Sequence, residues 1–395
     1  MNRRDVIKAL VALPTLPMAV KLYASGPVQR PRFLLVFLRG GYDCANLLVP
    51  VSSSFYYESR PNIAIAKPSA EATSALSLDA NWGLHPVLRD SIYPLWSASQ
   101  VAFVPFAGTD DLTRSHFETQ DSIELGHALG GVRNFQSGFL NRLAGVLNST
   151  EAIAFTDQLP VVFRGSKQIP NMALRSIGKP AIDTRQSAII AAMYRGTPLG
   201  VPVSEGFAVR DDVAREMAAE MDAASRNAIT AKGFELEARR IAKLMRDKYA
   251  LGFVDIGGGD THVGEGGATG YLAGRLDELG RGLAAFADEL GPQWENTTVV
   301  VMSEFGRTFR ENGNRGTDHG HGSVYWVLGG SLRGGRIAGE QVRAEAASLF
   351  QNRDFPVLNE YRRVLGGLFA RIYGANGPQL EQVFPGVQPV DLALV

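Results

Sequence analysis

Residues 297–322 read TTVVVMSEFGRTFRENGNRGTDHGHG. The opening run, Thr297–Met302, is β-branched or apolar, which predicts a strand buried on both faces of a sheet. Potential ligands and acid–base groups follow it among glycines: Ser303, Glu304, Arg307, Asp318, His319 and His321. Open α/β sheets bind ligands just beyond the carboxyl ends of their strands. Two of the six histidines lie within three positions here, which favours a metal or catalytic site over a solvated turn.

Four more apolar runs have the character of buried strands. They are residues 33–38, 101–106, 250–256 and 323–328, and helical patterns lie between them. The shorter runs 152–155 and 161–163 also have strand character. Strands that alternate with helices predict an α/β fold with a mainly parallel sheet. The polar stretch 52–81 predicts a long surface excursion between the first two strands. The length suits one large domain, or a core with an insertion.

Polar residues follow several of these strands directly. They are Asp43, Ser115, Asp260, His262 and Glu304. Because parallel strands end at one edge of the sheet, we expect these side chains to converge there with Asp318, His319 and His321. Such ligands predict one or two divalent ions, zinc or manganese most plausibly, and two ions would clamp a phosphoryl or sulfuryl group. For Asp43 alone, the alternative is a helix cap or an Asx turn.

Ser115 precedes a predicted helix over residues 117–129 and fits a capping box with Glu118. A hydroxyl at a helix N-terminus lies where the free amides and the helix dipole favour an anion. A nucleophilic serine could use the same position. Capping and nucleophilic attack are therefore both open for Ser115.

The first 25 residues have the layout of a cleaved export signal. Arg3 and Arg4 precede a moderately apolar run, residues 9–20, and small residues suited to cleavage follow at residues 24–26. The arginine pair indicates the twin-arginine route to the periplasm or the exterior. The apolar run is shorter than the ~20 residues that a membrane span needs, and prolines interrupt it. We therefore expect a single domain over residues 27–395, without stable membrane insertion, and the twin-arginine export machinery as a partner.

The composition excludes several other classes of protein. The 40 basic residues balance the 40 acidic ones, and without residues 1–25 the chain keeps 36 basic and 39 acidic residues. No basic stripe is present, so nucleic acid is not an expected partner. Cys44 is the single cysteine, which excludes an internal disulfide.

Six short motifs carry a resemblance to a known family. They are Arg-Gly-Gly-Tyr-Asp at 39–43, Gly-Leu-His-Pro at 83–86, Arg-Ser-His-Phe at 114–117, Asp-Thr-His at 260–262, Ser-Glu-Phe-Gly-Arg-Thr at 303–308 and Gly-Thr-Asp-His-Gly-His-Gly at 316–322. The sequence resembles the domain of unknown function 1501 family, whose members are secreted bacterial proteins, often with twin-arginine signals. That family is similar in fold to the alkaline phosphatase and sulfatase superfamily, which implies a three-layer α/β sandwich with a mainly parallel central sheet.

The resemblance also implies roles for individual residues. Asp43 matches the superfamily's ligand after the first strand, Ser115 its nucleophile, Asp260 and His262 the Asp/His pair of one metal site, and His321 its closing histidine. Glu304 stands for the Asp of the usual Ser-Asp-His-Gly, and Phe305 removes one ligand, for which His319 or Asp318 could substitute. Arg114 or Arg307 would hold the non-reacting oxygens of the substrate. No Cys-x-Pro-Ser-Arg occurs, so the sulfatase nucleophile made from cysteine cannot form.

We therefore expect an exported metal-dependent hydrolase that acts on a phosphate ester, or on a sulfate ester, of a small molecule or a polymer. The alternative is a catalytically silent relative that binds a partner or polymer at the cell envelope. The ligand set favours the enzyme, and Phe305 favours the binding protein.

Overall fold

The first strand shows how the apolar runs build the sheet. Residues 33–38 are all apolar, and they lie within a strand over Arg32–Leu38 that is buried almost throughout. The computed structural model describes residues 30–131, 133–148, 150–175, 184–217 and 233–395. Residues 31–395 form one compact unit. The predicted signal, residues 1–25, lies outside the described residues.

The strands and helices are numbered along the chain. The strands are β1 Arg32–Leu38, β2 Leu48–Val49, β3 Leu76–Ser77, β4 Gly83–Leu84, β5 Val101–Gly108, β6 Ala152–Ala154, β7 Leu251–Ile256, β8 Thr297–Ser303, β9 Ser323–Gly329, β10 Arg336–Ile337 and β11 Asn359–Glu360. The α-helices are α1 Cys44–Leu47, α2 Ser54–Ser59, α3 Ile92–Ser97, α4 His116–Leu125, α5 Phe139–Leu147, α6 Thr184–Tyr194, α7 Gly200–Glu216, α8 Gly233–Asp247, α9 Tyr271–Leu290, α10 Tyr361–Tyr373 and α11 Gly377–Val383. Short 3₁₀ helices occupy Pro86–Leu88, Val161–Phe163, Gly291–Asn296 and Ala346–Ser348.

Eight strands form the main sheet. Seven of them follow the order β10-β5-β9-β8-β1-β7-β6, and β11 pairs with the last residues of β5. The pairs of β1 with β7 and β8, and of β6 with β7, are parallel. Of the strands described, β9 is antiparallel to both neighbours, β5 and β8. The predicted α/β fold with a mainly parallel sheet is confirmed.

Alternate residues of the sheet pack against helices on its two faces. Leu34 and Val36 of β1 belong to a core that also contains apolar residues of α8 and α9. Phe33 and Leu35 belong to a second core, with apolar residues of α5, α10 and α11. This alternation follows from the two-residue period of a strand. The result is the expected arrangement of three layers, helices–sheet–helices.

The register of the sheet brings the polar strand ends together. Leu38, the last residue of β1, pairs with Ser303 of β8 on one side and with Ile256 of β7 on the other. The segments that begin at residues 39, 257 and 304 therefore leave the sheet at the same level. Because β9 runs antiparallel to β8, the connection 304–322 both begins and ends at this edge.

Two local predictions were wrong. Residues 52–81 are not only a surface excursion, because Tyr56, Arg60, Ile63 and Ile65 are buried. Residues 161–163 form a 3₁₀ helix rather than a strand. Within the described part of the chain, no helix combines the length and the apolar character that crossing a membrane requires.

Candidate metal centre

Three histidines and one aspartate meet at the shared edge of the sheet. The Nε2 atom of His319 lies 2.9 Å from Nε2 of His116 and 3.1 Å from Nε2 of His262. Asp260 Oδ1 lies 2.9 Å from His262 Nε2 and 3.3 Å from His319 Nε2. Asp260 Oδ2 lies 3.5 Å from His116 Nε2. His116, Asp260 and His319 form a group that could hold a metal ion, and His262 contacts two of them. We refer to these four side chains as the group of four.

Each of the four comes from a segment that leaves the sheet edge. His116 is the first residue of α4, Asp260 and His262 lie beyond β7, and His319 lies in the β8–β9 connection. Gly320 permits the close approach next to His319, since a Cβ there would lie 2.4 Å from the Arg307 backbone. The local sequence thus lets the chain turn tightly where the ligands converge.

The other ring nitrogen, Nδ1, faces an oxygen acceptor in all three histidines. The acceptors are the Glu304 carboxylate at 2.8 Å for His116, the Asp318 carboxylate at 3.2 Å for His262, and the Arg114 carbonyl at 2.9 Å for His319. His262 has a carboxylate oxygen at both ring nitrogens, Asp318 Oδ1 at Nδ1 and Asp260 Oδ1 at Nε2. A carbonyl or ionised carboxylate only accepts, so Nδ1 carries the proton in His116 and His319. In a neutral imidazole Nε2 is then unprotonated, which is the state that binds metals.

In their neutral form, His116 and His319 point the lone pairs of their Nε2 atoms at each other across 2.9 Å. Such an arrangement is repulsive unless a cation lies among them. A tetrahedral ion with bonds of ~2.0–2.1 Å places its ligand atoms about 3.3 Å apart. The separations of 2.9–3.5 Å among the His116, Asp260 and His319 nitrogen and oxygen atoms are close to that value. The residues present therefore fit a divalent metal ion.

Hydrogen bonds, charges and burial shift the pKa values of three of the four side chains. The hydrogen bond from His116 to Glu304 raises the pKa of His116. Burial lowers the pKa of His319. Although burial opposes it, the hydrogen bond and the positive charge of Arg307 lower the pKa of Asp260. His319 and Asp260 therefore keep the deprotonated atoms that a metal needs at neutral pH.

Glu304 lies behind His116 rather than in the group of four. Its side chain is fully buried. Oε1 accepts hydrogen bonds from Gly40 N at 2.8 Å, His116 Nδ1 at 2.8 Å and Gln120 Nε2 at 2.7 Å. Oε2 accepts from Ser303 Oγ at 2.8 Å. Both oxygens are thus occupied, and Glu304 orients His116. Asp318, also a predicted ligand, has the corresponding position behind His262.

The two predicted arginines have protein partners. The buried Arg307 guanidinium donates to Asp260 Oδ1, to Thr317 Oγ1 at 3.2 Å and to the Thr317 carbonyl. Arg114 donates to Asp354 at 2.6 Å and to Gln351 at 2.9 Å. Its backbone is left-handed, with φ of 53°, and its carbonyl accepts from His319. Arg307 therefore lies behind Asp260, and the Arg114 backbone is a partner of His319. Both guanidinium groups are engaged by protein acceptors, so these contacts do not support the predicted role of holding substrate oxygens.

Asp43 and His321 are not brought into the group of four. Asp43 is 1% exposed, caps α1 and forms a two-pronged ion pair with the buried Arg60. Although burial opposes it, Arg60 lowers the pKa of Asp43. The His321 ring packs on Phe350 at 5.1 Å between centroids, and burial lowers its pKa to about 4. For Asp43, the contacts match the alternative of a helix cap, and they add a buried counter-ion.

His116 was not among the predicted site residues. Its position in the sequence could have identified it as a candidate ligand, because it directly follows Ser115 within the Arg-Ser-His-Phe motif. Ser115 occupies the N-cap position of α4, yet its side chain caps none of the described helix amides. Phe305 lies against the rings of His116 and His319, with centroids 4.8 and 5.1 Å away.

The family model that matches is described as "Protein of unknown function (DUF1501)", and it covers residues 30–384. The chain belongs to this family. The expected family is thereby confirmed. Among curated proteins, none matches this DUF1501 chain.

Several solved structures are similar to the DUF1501 chain. The lipoteichoic acid synthase LtaP from Listeria monocytogenes is 10% identical with a TM-score of 0.38, over 93% of this chain and 76% of that one. A putative sulfatase from Bacteroides thetaiotaomicron is 9% identical with a TM-score of 0.38, over 91% and 75%. An alkaline phosphatase from the Antarctic bacterium TAB5 is 10% identical with a TM-score of 0.30, over 76% and 92%. Because these structural similarities are weak, the chemistry of this chain must be inferred from its own residues.

Proposed function

We propose that this DUF1501 protein is a metal-dependent hydrolase of phosphate or sulfate esters. One divalent ion, zinc or manganese, would be held by His116, Asp260, His262 and His319. The observation that carries the proposal is the convergence of three Nε2 atoms with fixed Nδ1 partners on one carboxylate. A bound ion would supply Lewis-acid stabilisation of the charge that develops on the ester oxygens.

The start of α4 supplies the other features that an ester hydrolase needs. Ser115 directly precedes His116, is half-buried, and leaves its hydroxyl free of a cap interaction with the described helix amides. The first amides of this ten-residue helix and its dipole favour an anion at this end. In the proposed reaction the Ser115 oxygen bonds to phosphorus or sulfur, its proton passes to solvent, and the bond to the leaving oxygen breaks. Water then hydrolyses the serine ester.

The proposal includes the place where the enzyme acts. The Arg3–Arg4 pair and the apolar run after it support delivery through the twin-arginine machinery to the periplasm or the exterior. The substrate would be an ester on a small molecule or on an envelope polymer. Replacing both arginines by lysine should retain the protein in the cytoplasm, and unchanged delivery in a fractionation assay would contradict this part.

Metal content and hydrolysis test the chemistry together. The full chain, purified without chelator, should contain about one equivalent of a divalent ion by elemental analysis. His319→Ala should lose it, whereas His127→Ala, which removes a histidine outside the group of four, should keep it. Aryl phosphate monoesters, diesters and an aryl sulfate are the substrates to assay, with metal added back.

Ser115→Ala separates the two interpretations of that residue. As a nucleophile, Ser115 should be essential, so the variant should bind metal and fold normally but lack turnover. Near wild-type activity in Ser115→Ala would exclude the serine as nucleophile. Stable metal binding without hydrolysis in the wild type would instead favour the envelope-binding alternative.

A further inference from the structure

Three of the four proposed metal ligands come from two loops that lie side by side. The first ligand loop, residues 257–265, carries Asp260 and His262, and the second ligand loop, residues 314–320, carries His319. The geometry of the centre therefore depends on how these two loops are held together. A change in their separation would move His262 and His319 relative to each other.

A buried carboxyl group bridges the two ligand loops. Glu265 Oε2 accepts a hydrogen bond from Thr261 Oγ1 at 2.7 Å and another from Thr317 Oγ1 at 2.8 Å. Thr261 lies between the ligands Asp260 and His262, and Thr317 lies two residues before His319. The Glu265 side chain is fully buried, and both threonines are also buried. One oxygen atom thus contacts both loops next to their ligands.

Backbone contacts run alongside this bridge. Thr317 N donates to Thr261 O at 3.0 Å, Gly264 N to Asn314 O at 2.9 Å, and Glu265 N to Arg315 O at 2.9 Å. The loops approach so closely that a Cβ on Gly316 would lie 2.5 Å from the His262 backbone. The Glu265 side chain therefore links two loops that backbone hydrogen bonds already join.

The bridge is made at an energetic cost. Burial, together with the nearby Asp43 carboxylate, raises the pKa of Glu265 well above its ordinary value, which favours the neutral acid. The Glu265 carboxyl group also hydrogen-bonds to the buried Asp43 carboxylate. Burying a carboxyl group is unfavourable unless it is hydrogen-bonded. The hydrogen bonds to Thr261, Thr317 and Asp43 offset that cost.

We infer that Glu265 is a positioning residue of the metal centre, which sets the distance between the two ligand loops through the hydroxyl groups of Thr261 and Thr317. The inference rests on the proposed function only for the ion itself. Glu265 does not touch the ion, and it acts through the threonines that flank the ligands.

Metal affinity in matched variants is the first test. Zinc affinity of the full chain is measured by competition with a chromogenic chelator. Glu265→Ala should weaken it about tenfold, as loss of a group behind metal ligands typically does. Glu265→Gln, which remains neutral and keeps an acceptor oxygen, should stay close to wild type. Glu360→Ala removes another buried carboxylate, at the start of α10, and should not change zinc affinity. Equal affinities in Glu265→Ala and wild type would overturn the inference.

Amide hydrogen exchange of the metal-free protein is the second test, and it does not depend on ion binding. The amides of Gly264, Glu265 and Thr317 should exchange faster in Glu265→Ala than in Glu265→Gln or Glu360→Ala. Thr317→Val, which removes one donor at nearly constant volume, should act in the same direction if Glu265→Ala does not fold. Unchanged exchange would overturn the inference. If the wild type binds no zinc but these amides respond, the proposed function fails and the role of Glu265 in joining the loops stands.

Discussion

Glu304→Gln distinguishes a metal ligand from a residue that orients one. The substitution keeps the size of the side chain and one acceptor oxygen, and it removes the negative charge. In the structure, Oε1 accepts from three donors and Oε2 from Ser303, and neither oxygen belongs to the group of four. Glutamine can keep Oε1 toward the three donors and turn its amide toward the Ser303 hydroxyl. His116 Nδ1 should therefore remain a donor, with a weaker acceptor.

The expected loss follows from that placement. Changing the acceptor behind a ligating histidine typically weakens metal binding by 10- to 100-fold, which corresponds to about 1.4–2.7 kcal/mol. Because Glu304→Gln keeps the acceptor oxygen, we expect the lower end, near tenfold. Chelator competition with zinc measures the change, and Glu278→Gln, a half-buried carboxylate on α9, serves as the matched control. A change below about twofold would refute the orienting role, and loss beyond about 1000-fold would show that Glu304 binds the ion directly.

Three further predictions test other buried groups of the fold. Arg60→Met leaves Asp43 buried without its counter-charge, so urea unfolding should show a loss of ~3–5 kcal/mol, and a loss under about 1 kcal/mol would contradict a structural ion pair. Burial raises the pKa of Glu237 to about 7, so the folded state binds this proton more tightly than the unfolded state. The wild type should therefore lose stability relative to Glu237→Gln as pH rises from about 5 to 8, and parallel pH profiles in urea melts would refute this. Gly306→Ala places a Cβ 2.0 Å from a backbone oxygen and should lower both stability and metal content, whereas Gly313→Ala meets nothing within 4 Å and should change neither.

The strands were predictable because burial on both faces leaves continuous apolar runs. Residues 297–302 and 33–38 correspond to β8 and β1 with an error of one residue at an end. The rule that ligands follow the carboxyl ends of parallel strands then located Asp260 and His262. His319 was found because Asp-His-Gly-His is hard to explain as a solvated turn. The local sequence pattern and the rule for parallel sheets were thus sufficient to predict the fold and much of the candidate metal centre.

Long-range pairing accounts for what the sequence did not reveal. Asp43 follows a strand as a ligand would, but its partner Arg60 comes from a polar stretch that predicted a surface excursion. Nothing local indicates that an arginine there is fully buried. His116 was masked by the adjacent Ser115, whose position at a helix start suggested the chemistry. The difference between His319 and His321 depends on which way each side chain leaves the loop around Gly320, which no spacing rule predicts.

The three imidazole nitrogens and one carboxylate of the proposed site would also determine which ion binds when several compete. Nitrogen ligands suit zinc, copper and nickel, whereas manganese prefers oxygen ligands and six-fold coordination. Along the first-row divalent ions, affinity for such a site rises from manganese to copper and falls again at zinc. Manganese should therefore remain bound only where the tighter-binding metals are scarce. The ion found in a purified sample would reflect the metals present where the chain folded as much as the preference of the four ligands.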